Sequence, residues 1–359
     1  MSSICRRPLP EPDNSLEVFV RFTSSGKQQA VEDNRPTQVD FELTTRCAAG
    51  CRFCYASSEA SEETFMPKER ILPLLDELVE IGIQRIHWLG GDPLLHPHWE
   101  EVISFAGEIG LRSNLFTAGL ISRKQAQTLM QLYRQGRLHL VGFHLDTLDP
   151  EVHAQVYLDP RTLAQKIASY DRLLEAGFPP GRIRPCMTLT RPVVQTHRDL
   201  FDWFVARGAW HILINLFKPH GFGKDNAQWE PSLSEVKEVC ESRAQALEND
   251  QWLRMGPTDF GKCFCRTLLY ISADGRLGPC PLMPELAVGN VFEEPIWKLV
   301  GRHRDHLLFH FPIEGKCASC KNCDVCFGCR GNALRYGVNL QGADPKCWMN
   351  PGARETYCR

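Results

Sequence analysis

The chain has 359 residues, 43% hydrophobic and 23% charged, enough for one large domain and a smaller one around a substantial buried core. Forty-one Lys plus Arg stand against 43 Asp plus Glu, a formal charge of -2 with no basic stripe, which argues against a nucleic-acid groove. No apolar run approaches the roughly 18 residues of a membrane span, and no apolar segment follows the N-terminal arginines, so a membrane anchor and a secretory signal are set aside and a cytoplasmic location is expected.

In chain order, 36–44 alternates like a strand and runs into a loop with three cysteines, Cys47, Cys51 and Cys54. An amphipathic helix over 67–83 and a strand over 84–93 follow, the strand ending in Gly90, Gly91 and Asp92. The same alternation gives helices at 97–110, 122–136, 161–177 and 197–209, and strands at 111–119, 137–146, 182–190 and 210–217. Six strand-helix repeats predict a parallel α/β sheet, too short for an eight-fold barrel. Ligands of such sheets bind at the carboxyl ends of the strands. The cysteine trio, the Gly90–Asp92 turn, Thr117, Gly119 and Asp146 all fall there and should converge on one face.

Sixteen cysteines in a reducing compartment point to metal or thiol chemistry rather than disulfides. An iron-sulfur cubane takes four thiolates, so three leave one iron open for a substrate or cofactor. Zinc is the alternative, but it usually takes four ligands in two pairs, and no histidine stands near the trio. The CxxxCxxC spacing after a first strand, with Phe53 before the third cysteine, resembles the radical S-adenosylmethionine superfamily. The resemblance implies a partial (β/α)6 barrel. It also implies a site-differentiated 4Fe-4S cluster on Cys47, Cys51 and Cys54, whose open iron chelates S-adenosylmethionine. One electron from the cluster then cleaves the sulfonium, and the 5'-deoxyadenosyl radical takes a hydrogen atom from substrate. Gly90, Gly91 and Asp92 resemble the family's glycine-glycine-glutamate strand end, which holds the methionine ammonium, with the acid one methylene shorter. Asp146 aligns with the fourth-strand acid, and His144 stands where a serine is usual, either against the cofactor carboxylate or ribose or as a satisfied inward residue. Thr117 completes the expected cofactor-binding set. Residues 218–225 resemble the glycine-containing loop near the adenine, with backbone contacts expected and their lysines read as surface.

A helix is expected over 232–250, with Cys240 structural. Beyond it, 268–280 reads as a hairpin turning at Asp274-Gly275, which brings Cys263 or Cys265 towards Cys280. Cys317, Cys320, Cys326, Cys329 and Cys347 follow in a loop-rich stretch that metal must hold together. Two CxxC pairs leave a zinc ribbon open as an alternative. The whole pattern resembles the SPASM domain of radical enzymes such as sulfatase and peptide maturases. That resemblance implies two auxiliary iron-sulfur clusters. The first would take Cys263 and/or Cys265, Cys280 and Cys329; the second Cys317, Cys320, Cys326 and Cys347; Cys323 is surplus. The expected division is an N-terminal extension over 1–34, the radical domain over 35–230, a linker helix over 231–257 and the auxiliary-cluster domain over 258–359.

The domain pair implies modification of a ribosomally made peptide or protein side chain by cross-link, oxidation or epimerisation. Its partners would be a reductant such as flavodoxin or ferredoxin and a separate leader-peptide-binding protein, since only 46 residues precede Cys47. The alternative is oxidation or rearrangement of a small-molecule cofactor or natural-product precursor, tetrapyrrole side-chain oxidation among them. A plain iron-sulfur carrier would not need the cofactor-site signatures. Cys186, on the fifth strand, is a candidate hydrogen-atom donor as well as a small core residue. Asp146 and Glu42 are acid-base candidates.

Overall fold

The computed structural model of the chain describes residues 25–355 apart from 63 and 338, so Cys5 and Cys358 lie outside the described residues. Helix α1 (Ser25–Glu32) precedes six strands in parallel: β1 (Gln38–Glu42), β2 (Arg85–Leu89), β3 (Arg112–Thr117), β4 (Leu138–His144), β5 (Ile183–Leu189) and β6 (Leu213–Leu216). The intervening helices are α2 (Lys68–Glu80), α3 (Trp99–Glu108), α4 (Arg123–Arg134), α5 (Pro150–Val156), α6 (Thr162–Glu175), α7 (Arg191–Val194) and α8 (His197–Ala206). After α9 (Leu233–Ala246) and α10 (Lys262–Cys265) come β7 (Leu268–Ile271), β8 (Arg276–Gly278) and β9 (Gly289–Asn290), then α11 (Ile296–Leu307) and α12 (Arg330–Arg335).

All six expected strands form one open parallel sheet, the wall of a partial barrel. The expected hairpin is present, with Gly275 at φ +86°, but its placement is new: β7 pairs parallel with β1, and β8 and β9 extend the sheet antiparallel beyond it. The cysteine-rich region is thereby seated against β1, the strand that leads into the N-terminal trio.

The strands alternate because their two faces meet different surroundings. Val39, Phe41, Trp88, Leu115, Phe143, Met187 and Ile214 pack outward against the helices, Phe41 and Trp88 edge to face at 5.4 Å. On the other face, Gln38, Asp40, Glu42, His87, Asn114, His144 and Cys186 line the concave side, here called the lumen. A parallel sheet covered on both faces by apolar side chains reads as an unbroken hydrophobic run; a polar lumen restores the alternation. Across its floor, His87 Nδ1 meets Asn114 Nδ2 and His87 Nε2 meets Gln38 Oε1, each at 3.2 Å, which holds the ring in place. Helix starts follow their sequence signals. Ser122 with Gln125 and Ser232 with Glu235 close capping boxes, and Asp149 caps α5 ahead of Pro150.

Candidate active site

The loop carrying Cys47, Cys51 and Cys54 leaves the carboxyl end of β1 and is fastened from three directions. From β2, the Gly91 and Asp92 amides donate to Thr44 and Arg46 carbonyls, both at 2.7 Å. From the end of α5, the Arg52 amide donates to Val156 O at 3.0 Å and the Leu158 amide to Gly50 O at 2.9 Å. From the loop after β6, the Phe222 amide donates to Cys54 O, His220 Nδ1 to Tyr55 O and Asn226 Nδ2 to Arg52 O, all at 2.9 Å. The glycines allow this approach. A Cβ at Gly90, whose φ is +144°, would lie 2.3 Å from Thr44 O, one at Gly91 2.2 Å from Arg46 O, and one at Gly221 2.4 Å from Tyr55 O. The glycine pair therefore lets β2 close on the cysteine loop, with the Gly91 amide bonded to Thr44.

Asp92 is buried at the end of β2. Its carboxylate accepts from the Leu94 amide at 3.0 Å, from Thr117 Oγ1 at 2.9 Å and from the Ala118 amide at 3.2 Å. Burial nevertheless pushes its pKa up to about 6, against the pull of these donors. At the end of β4, His144 Nε2 lies 2.9 Å from Asp146 Oδ1, and the His144 ring meets Phe53 edge on at 6.1 Å. Asp146 is fully buried and also accepts from the Tyr157 hydroxyl and, at 2.6 Å, from the Thr188 amide. Burial would raise its pKa, but His144, Lys166 and Tyr157 more than offset that and hold it below the usual carboxylate range. Asp146 is thus an anchor: it orients His144, which is the member of the pair turned towards the loop.

Tyr157 and Lys166 escaped the sequence reading. Lys166 Nζ donates to His144 O at 3.0 Å and to Tyr157 Oη at 3.1 Å, and Tyr157 packs against Phe53 at 5.8 Å. The signal existed: Leu163, Lys166, Tyr170 and Leu173 are spaced on one buried stripe of α6, where an unpaired lysine has no place. Lys218 is a further correction. It is buried rather than on the surface, and it donates to Asn332 Oδ1 in the C-terminal region; Lys224 is exposed as expected. Cys186 lies level with His144 across β4 and β5, on the lumen face, with its thiol 3.4 Å from Arg184 O.

The trio fits the cluster its spacing implies. All three thiols are free, and they sit in an apolar shell of Ala49, Phe53, Ala118, Tyr157 and Phe217. Burial, with the nearby Asp92 charge, pushes the Cys47 thiol up to about 12, and burial raises Cys51 as well. Such thiols stay protonated until a metal takes their protons' place.

The C-terminal cysteines fall into two groups. Cys317, Cys320, Cys326 and Cys347 line one cavity with Arg254, Met255 and Asp344. Cys265 faces Cys280 and Cys329, and burial raises both Cys265 and Cys280, the latter to about 12. Cys263 stands apart, beside Lys27, Lys262 and Arg266. Cys323 is exposed, and Cys240 packs in the main core. The Asp344 carboxylate joins the groups: it lines the cavity and accepts from the Cys329 amide at 2.8 Å.

Residues 41–196 match the model of the Radical SAM superfamily. The chain carries a radical SAM domain. It is 25% identical to the AdoMet-dependent heme synthase of Nitratidesulfovibrio vulgaris, over 92% of this chain and 97% of that protein. It is 22% identical to the antilisterial bacteriocin subtilosin biosynthesis protein AlbA of Bacillus subtilis, over 83% of this chain and 69% of that protein. Its fold matches Streptococcus suis SuiB bound to the precursor peptide SuiA, with a TM-score of 0.67 at 16% identity over 97% of this chain and 84% of that one. Enzymes of the matched superfamily use S-adenosylmethionine and a 4Fe-4S cluster; the cysteine trio here fits such a cluster, and the many C-terminal cysteines fit auxiliary clusters. Among the described residues no helix is long and apolar enough to cross a membrane.

Proposed function

We propose that this radical SAM enzyme modifies a residue of a peptide or protein held in the lumen, forming a cross-link, an oxidised side chain or an epimer. The observation that carries the reading is the position of the lumen between two cysteine fields. Tyr55, one residue after Cys54, neighbours Asp40, Glu42 and Cys280, and Asp40 in turn neighbours Cys265. A substrate there lies between the N-terminal trio and the first auxiliary group. Cys47, Cys51 and Cys54 would hold the 4Fe-4S cluster, which supplies the electron that cleaves S-adenosylmethionine and so starts hydrogen abstraction. Around it, Asp92 with Thr117 presents a buried carboxylate to the cofactor's ammonium, and Asp146 with Tyr157 and Lys166 fixes His144 beside Phe53. Cys265, Cys280 and Cys329 would hold one auxiliary cluster and Cys317, Cys320, Cys326 and Cys347 the other. A flavodoxin or ferredoxin would deliver electrons, and a separate protein would present the leader peptide.

The relatives support a substrate of this kind through SuiB, whose structure carries a precursor peptide, and AlbA, which serves bacteriocin biosynthesis. A second reading, oxidation of a tetrapyrrole side chain, is favoured by the heme synthase, whose length this chain matches almost throughout. Anaerobic co-expression with a short peptide encoded beside the gene separates the two. The proposal expects peptide whose mass is lower by two hydrogens, or unchanged with one inverted centre. Unmodified peptide, with an iron-porphyrin side chain oxidised in the same assay, would overturn it.

A further inference from the structure

The concave face of β1 carries two carboxyls that the cofactor site does not use. Asp40 and Glu42 alternate with Val39 and Phe41, which are fully buried in the core, so both acids face the lumen. Asp40 is 9% exposed, and its carboxyl accepts no hydrogen bond from the described residues. Glu42 accepts from the Tyr270 hydroxyl and, at 3.4 Å, from the Ala273 amide. The groups facing the pair bring little positive charge. His87 on β2 has both ring nitrogens engaged by Gln38 and Asn114; Tyr270 on β7 and Tyr55 on the cysteine loop are phenols. Asp274 at the hairpin turn adds like charge, and Arg276 is committed to it in a pair at 2.9 and 3.1 Å.

Arg276 still lies within electrostatic reach of Glu42, but two adjacent buried acids whose nearest cation is paired with Asp274 are protonated or are completed by a ligand. Burial, and for Asp40 the neighbouring Glu42, pushes them up to about 8 and about 7, the direction in which a buried acid keeps its proton until a cation replaces it. Aromatic side chains complete the pocket's character: Tyr55 and Tyr270 adjoin Glu42, and Phe116 and Phe264 flank His87 at 5.9 and 5.6 Å, faces against which an alkyl stem or a cation packs.

We infer that Asp40 and Glu42 form a subsite for a protonated nitrogen of the substrate, an ammonium or guanidinium group on an alkyl stem, seated in the lumen beside the cysteine loop. This rests on the reading that substrate enters the lumen, and it narrows that substrate to one presenting a lysine-like or arginine-like group next to the reacting carbon. The position of Asp40 and Glu42, seven and five residues before Cys47 on the strand that also carries β7 on its other edge, places the anchor between the two cysteine fields.

The test needs no peptide. Cluster-loaded protein with S-adenosylmethionine is titrated anaerobically with n-butylammonium, n-butylguanidinium and n-butanol, with binding read by calorimetry and carboxyl protonation by infrared difference spectroscopy. The inference expects at least one cation to bind while butanol does not, with loss of a protonated-carboxyl band on binding. The two cations separate lysine-like from arginine-like recognition. Asp40→Asn and Glu42→Gln should each weaken the cation by about tenfold or more, and the double variant should abolish it. The change in the N-terminal cluster's EPR signal on S-adenosylmethionine addition reports that each variant keeps its fold. Equal binding of cation and butanol, equal binding by wild type and double variant, or a carboxyl band that persists with cation bound would overturn the inference. The last result would leave the pair as a proton store. Failure of the peptide assay with cation binding intact would overturn the peptide reading alone.

Discussion

At the residue scale, Gly91 shows how little freedom the site leaves. Its Cβ position is occupied by the Arg46 carbonyl, a backbone atom of the cysteine loop that cannot swing aside as a side-chain tip can. Gly91→Ala should therefore push the loop off β2: purified anaerobically, the variant is expected to lose the N-terminal cluster's share of iron while the C-terminal clusters remain. Full iron content would show that the loop tolerates the displacement. His153 gives a pH-dependent counterpart. It is fully buried, stacked on Tyr157 at 4.2 Å and bonded to Thr162, and burial lowers its pKa to about 4. The folded state binds fewer protons than the unfolded one between the usual histidine value and 4, so stability falls as pH falls through that window. The slope is at most about 1.4 kcal/mol per unit. Denaturant midpoints for His153→Gln should lose that slope between about pH 6.5 and pH 4; an unchanged slope would place its origin elsewhere.

At the element scale, the sequence was most readable where local pattern decides. The polar lumen made each strand alternate, capping boxes marked helix starts at Ser122 and Ser232, and the cysteine trio fell directly after the first strand. Pairing between distant segments was not readable: nothing in 268–271 says that β7 joins β1, because register is set by packing across more than 200 residues of intervening chain. Burial of Lys218 against Asn332 was hidden for the same reason, since its composition reads as surface loop. The open choice between Cys263 and Cys265 belongs to this scale too. Helix α10 is short and turns its two cysteines in different directions, Cys265 towards Cys280 and Cys329 and Cys263 towards Lys27 on α1. Cys265→Ala should remove one cluster's iron and Cys263→Ala none; the reverse pattern would show that α10 rotates when the cluster is bound.

At the scale of the whole molecule, β1 is the organising strand. Its outward face anchors the core, its lumen face carries Asp40 and Glu42, its carboxyl end launches the cysteine trio, and its free edge receives the hairpin that brings in the auxiliary cysteines. The Lys218–Asn332–Asp344 chain ties the loop clasping Cys54 to the residues around both C-terminal thiol groups. One sheet therefore fixes where the cysteine trio, the lumen and the C-terminal thiols stand relative to one another. The most direct measurement is made on oxygen-free, cluster-loaded protein: EPR of the reduced state with and without S-adenosylmethionine, followed by chromatography for 5'-deoxyadenosine, compared with a Cys47, Cys51 and Cys54 triple-alanine variant. The account predicts an altered cluster signal on adding the cofactor and release of 5'-deoxyadenosine, both lost in the variant while the C-terminal cluster signals persist. Cofactor cleavage that survives in the variant, or wild-type protein whose cluster signal ignores the cofactor, would contradict it.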